Sequence, residues 1–157
     1  MNQDQKQNQN LADAALKIAI DCLGKKEATG NNDGEFVNMV QEFVGGIREH
    51  GLPWCASFRS WCMVQTGLNP VTPKSDSSTW LYSYAKSNGL LLEKPIPGCT
   101  GLVKAKESEH GKTHVHTFAV IGLDESNGTV HSVDGNHRNM VEKAIHKISE
   151  CDFMACV

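Results

Sequence analysis

The chain has 157 residues and a formal net charge of −3, with 39% hydrophobic and 21% charged residues. That is enough to bury a core without cross-links. The absence of a long basic run and of an apolar run of membrane-spanning length argues against nucleic acid or a membrane as the main partner. Six cysteines without a Cys-x-x-Cys pair leave disulfides open and count against a ribbon or finger zinc site.

Residues 1–10 are polar and rich in Asn and Gln, and are expected to form a disordered tail ahead of a single domain over residues 11–157. They lack the basic and apolar regions of a secretory signal. The expectation is therefore synthesis in the cytoplasm, with delivery by another route if the target lies outside it. Asn10 is the expected cap of a first helix carrying Leu11, Ala15, Ile18 and Cys22 on one face, with Gly24 as its stop. Residues 29–34 read as a turn-rich loop without the full EF-hand ligand pattern. A second amphipathic helix follows, with Phe36, Val40, Phe43, Val44 and Ile47 as its stripe, weakened at Gly45-Gly46.

The third helix begins where the chemistry is richest. Pro53 fixes the chain direction, and no residue from Ser57 to Gly67 breaks a helix, so Cys55 falls at the junction of loop and first turn. The unpaired N–H groups there favour a thiolate, the nucleophilic form of cysteine. Pro70 and Pro73 mark a loop. Ser77 or Ser78 then caps a short helix with Trp80, Leu81, Tyr84 and Ala85, ending at Asn88-Gly89.

Beyond Pro95 the pattern turns to short strands: residues 101–106, 115–123, 129–134, 140–146 and 148–156. Close spacing and intervening turns predict an antiparallel meander. Helices followed by strands give an α+β fold.

Two strand segments add candidate partners for Cys55. His114 and His116 share one face of a strand, and either imidazole has the chemistry to move a proton for a thiol. Asp134 and Asn136 flank a turn glycine and are alternatives for accepting a ring N–H and fixing the tautomer. His110, His114 and His116 also form a loose set that a metal would suit, which keeps open a non-catalytic metal-binding module.

Pro53-Trp54-Cys55-Ala56-Ser57-Phe58-Arg59-Ser60-Trp61-Cys62 resembles the nucleophile motif of the CHAP family, the cysteine, histidine-dependent amidohydrolases/peptidases among the papain-like bacterial cell-wall hydrolases. The strand from His116 to Gly122 is similar to the family's His strand, and Asp134-Gly135-Asn136 is similar to its acidic Gly-Asn motif. The distance from His116 to Gly122 fits the family better than that from His114. The resemblance spans residues 27–141. It implies a papain-like fold with N-terminal helices packed on a C-terminal antiparallel sheet. It also implies peptidoglycan as substrate, no metal or other cofactor, Cys55 as nucleophile, His116 as base, and Asp134 with Asn136 as alternative or helper. Trp54, Asn31 and Asn32 are expected at the substrate, the two asparagines as candidate oxyanion donors.

The sequence-level expectation is a thiol hydrolase of a peptidoglycan amide bond, endopeptidase or amidase. It would act as a phage lysin or as a delivered antibacterial effector with an immunity protein as partner. Two alternatives remain: an acyltransferase or deamidase acting on proteins, and the metal-binding module.

Overall fold

The computed structural model describes residues 2–45, 51–107 and 111–157. Four helices precede a five-stranded sheet: α1 (Gln3–Asp21), α2 (Glu35–Gly45), α3 (Cys55–Gln65), α4 (Ser78–Ser87), β1 (Thr100–Lys104), β2 (His114–Asp124), β3 (Thr129–His137), β4 (Met140–Lys147) and β5 (Cys151–Met154). This is the α+β arrangement that the order of patterns predicts. Ile47, Gly46 and His110 lie outside the described residues.

α1 corrects the reading of the first ten residues. The helix starts at Gln3, and Asn2 rather than Asn10 caps it, in a reciprocal capping box with Gln5. Those bonds satisfy the first amides, and nothing in residues 3–10 breaks a helix, so the polar stretch extends the helix anchored by Leu11, Ala12, Ala15 and Ala19. α2 buries Val37, Val40 and Gln41. Its apolar face is thus rotated from the expected stripe, with Phe36 partly buried against the same core.

The sheet order is β4-β3-β2-β1-β5, with every pairing antiparallel. β1 to β4 form the expected meander. β5 departs from it by crossing to the far edge to pair with β1. Burial explains the crossing: there Cys151 and Phe153 join Cys99, Phe118, Val120 and Val130 in an apolar cluster. β4, by contrast, alternates buried or half-buried positions with exposed ones and offers little apolar surface.

Period-2 alternation splits the sheet between two cores. Ala119, Val133 and Val141 pack with Trp54, Phe58 and Cys62 of α3 and with α1 and α2. Phe118, Val120 and Val130 belong to the other cluster. α3 lies close on β3: a Cβ at Gly135 would fall 2.6 Å from the Phe58 ring. That approach carries the start of α3 to the strands bearing His116 and Asp134.

Candidate active site

Trp54 fixes the start of α3. Its ring is fully buried and meets Phe36 and Phe58 edge-on, both at 6.2 Å between centroids. Its Nε1 donates to Glu27 Oε1 at 2.9 Å, and Glu27 Oε2 accepts from the Asn32 N–H at 3.0 Å. Gln41 of α2, also buried, donates to the Leu52 carbonyl just before Pro53. The expectation of Trp54 at the substrate is therefore corrected. An aromatic ring with no exposed surface and a satisfied N–H is a core peg.

Trp54 puts no side-chain bond on the first amides of α3, which leaves them to the residue that follows. Burial pushes the Cys55 thiol up, but a hydrogen bond to His116, the charge of His116 and the backbone N–H groups of Thr117 and Ala56 outweigh it, so its pKa is lowered. The contrast with the rest of the chain is sharp. All six cysteines are free thiols. Burial raises the other five, Cys99 to about 11 and Cys151 to about 12, with Cys22, Cys62 and Cys156 also moved up.

Of the two strand histidines, the structure brings His116 to the thiol. Burial lowers its pKa, but hydrogen bonds to Asp134 and Cys55 prevail and raise it to about 10. His116 Nε2 donates to Asp134 Oδ2 at 2.6 Å, which leaves Nδ1 as the nitrogen for Cys55. His114 is committed elsewhere. Its ring is buried, stacks on Tyr82 at 4.2 Å and places Nε2 2.9 Å from Asp152 Oδ2.

Asp134, at 0% exposure, is the residue that holds His116. Burial raises the carboxyl pKa, but bonds and charge from His116 and His146 reverse this and hold it well below the usual carboxylate range. Ser132 Oγ donates to Oδ1 at 2.5 Å and His146 Nε2 to Oδ2 at 2.7 Å. Sequence reasoning missed both. The i, i+2 spacing of Ser132 and Asp134 was a usable signal, whereas His146 needs the β3–β4 pairing.

Asn136 does not share this role. It sits at φ 56° in the irregular end of β3, and its Nδ2 donates to Asn32 Oδ1 at 3.2 Å. Asn tolerates that backbone region, so the residue closes a turn and ties β3 to the loop of residues 29–34. Asn32 is further committed to Glu27 and Gly51, and Asn31 bonds Thr29. The asparagines thus form a loop clamp and do not line the cavity at Cys55. That cavity, about 250 Å³, includes Pro53, Asp76, Ser78, Thr79 and Lys112 in its wall.

Of the histidine set weighed for metal, His110 lies outside the described residues, while His114 is bound to Asp152 and His116 to Asp134. Among the described residues the one group with metal-ligand chemistry is His116, Asp134 and His146. Its 2.6 and 2.7 Å contacts are hydrogen-bond spacings. They are shorter than the about 3.3 Å that separates ligands at a tetrahedral zinc with bonds near 2 Å.

No protein-family model and no curated protein sequence matches the chain. Solved structures do. The P60 domain of the M. avium paratuberculosis antigen MAP1272c aligns with a TM-score of 0.59 at 10% identity, covering 99% of this chain and 100% of that one. Ly7917 aligns with a TM-score of 0.52 at 13% identity, covering 92% of this chain and 62% of its own. The chain therefore has the papain-like α+β fold seen in the P60 domain, with a thiol, an imidazole and a carboxylate brought together where α3 meets the sheet.

Proposed function

We propose that this chain is a thiol-dependent hydrolase of an amide bond in bacterial peptidoglycan, an endopeptidase or an amidase. The observation that carries it is the His116–Asp134 hydrogen bond of 2.6 Å beside Cys55, whose thiol is the single one of six lowered and is lowered chiefly by His116. The substrate class is supported by the CHAP-like motif around Cys55 and by the fold shared with a P60 domain.

In this reading Cys55 Sγ attacks the amide carbonyl carbon and forms a tetrahedral intermediate. The Cys55 N–H at the start of α3 donates to its oxyanion. The Ser78 hydroxyl lies in the same cavity wall and 2.7 Å from Thr117 Oγ1; accepting from Thr117, it keeps its own proton for the second-donor role expected of Asn31 or Asn32. His116 Nδ1 carries the thiol proton and delivers it to the leaving amine as the C–N bond breaks, leaving a thioester on Cys55. Water, deprotonated by the same ring, then attacks the thioester, releasing the carboxylate and restoring the thiol. Asp134 keeps the proton on Nε2 and stabilises the imidazolium.

Incubation with purified sacculi and mass analysis of released fragments tests this. New amine and carboxyl ends, absent with Cys55→Ala, support it. Intact sacculi, or equal release by Cys55→Ala, remove it. Acyl transfer or deamidation of a protein is the rival for the same residues, and modified protein with untouched sacculi favours that rival. We further propose that the chain acts in the periplasm or cell wall, as a lysin or a delivered effector. Toxicity on export to the periplasm, relieved by a neighbouring gene product, identifies an effector with its immunity protein.

A further inference from the structure

We propose that His146 is a positioning residue for the Cys55–His116 pair, acting through the carboxylate of Asp134. Three strands converge on that carboxylate. Oδ2 lies 2.6 Å from His116 Nε2 of β2 and 2.7 Å from His146 Nε2 of β4, while Oδ1 accepts from Ser132 of β3 at 2.5 Å. With three donors the group cannot turn without breaking a bond. Without His146, His116 alone holds Oδ2, and the carboxylate is free to swing about the Ser132 contact. His116 would then lose the fixed direction that keeps Nδ1 aimed at the thiol.

His146 is itself held by packing. Its ring stacks on Phe118 with centroids 4.2 Å apart and planes 13° from parallel. Phe118 is almost fully buried and occupies the space where residue 101 would carry a side chain, since a Cβ at Gly101 would fall 2.1 Å from its ring. Order thus passes from Gly101 through Phe118 and His146 to Asp134. The Nε2 of His146 is bonded to the Asp134 carboxylate, so its action is on that group. Among the described residues, the titratable groups facing Asp134 and His116 include His146 and Glu142 from β4, His137 from β3, Cys151 from β5 and Cys55 of α3.

The inference rests on the pairing of Cys55 with His116 in the proposed function, but not on the substrate. Its test is the rate of iodoacetamide alkylation at Cys55 across pH in the full chain, assigned by peptide mass mapping. His146→Phe keeps a ring for Phe118 and removes the donor, whereas His146→Gln keeps an N–H donor. Loss of one hydrogen bond to a charged group predicts about tenfold slower alkylation at neutral pH for His146→Phe, with the profile moved toward an ordinary thiol. His146→Gln is expected within about threefold of wild type. Should His146→Phe fail to fold, His146→Asn, polar but too short to reach the carboxylate, takes its place with the same expectation. A folded variant without the donor whose profile overlays wild type overturns the proposal, as does His146→Gln slowed as much as His146→Phe. Slowed alkylation alongside untouched sacculi supports the positioning role and removes only the substrate assignment. Cleaved sacculi with unchanged alkylation remove only the positioning role.

Discussion

Asp134→Asn is the sharpest perturbation of this site because it keeps size and removes charge. The side chain is fully buried and accepts from Ser132, His116 and His146 at 2.5, 2.6 and 2.7 Å. An amide oxygen can keep at most two of those donors in place, and its NH₂ then faces the Ser132 hydroxyl or an imidazole N–H. A hydrogen bond to a charged group contributes about 1.5–3 kcal/mol. At about 1.4 kcal/mol per factor of ten, its loss reduces the thiolate–imidazolium population about 10–150-fold. The assay is the pH dependence of Cys55 alkylation. The other five thiols have raised pKa values and react slowly at neutral pH. The expected result is a drop of that size at pH 7 with the apparent thiol pKa moved up by about one to two units. A rate within about twofold of wild type, in a folded variant, would refute the reasoning, since the buried charge would then not stabilise the pair.

Three further expectations follow from the same geometry. His116→Ala should return Cys55 to the reactivity of an unactivated thiol, while His114→Ala, which breaks a bond to Asp152, should leave alkylation near wild type and lower stability by about 1–3 kcal/mol, seen as a fall in melting temperature. Gly135→Ala would place a Cβ 2.6 Å from the Phe58 ring; overpacking of about 1–3 kcal/mol should lower the melting temperature by about 2–12 °C, and an unchanged melt would mean that α3 yields at no cost. Because the Asp134 pKa is depressed from its ordinary 3.8, its contribution to stability is present above that value and lost as pH falls below it. The acid-side fall in melting temperature should therefore be shallower in Asp134→Asn.

What was legible in the sequence was local. Pro53 ahead of Cys55, the unbroken run to Gly67 and the apolar run that follows His116 placed the helix and its facing strand, because each signal sits within a few residues of the element that it shapes. The features missed are those that long-range pairing decides. Trp54 reads as a surface aromatic beside a nucleophile until Glu27, distant in sequence, is seen to take its N–H. β5 leaves the meander because its apolar residues complete a cluster on the far edge of the sheet. His146 acquires meaning only when pairing and packing bring it to Asp134. The helical start of α1 is a different kind of miss: the Asn2-to-Gln5 spacing of a capping box was in view, but composition suggested a tail.

The central claim is that Cys55 is held as a thiolate by His116. The most direct measurement is the ultraviolet titration of thiolate in the wild type minus that in Cys55→Ala. The account predicts a midpoint below the ordinary 9.0 of a cysteine thiol, lost in His116→Ala. A midpoint at or above that value, or one that His116→Ala leaves unmoved, would contradict it.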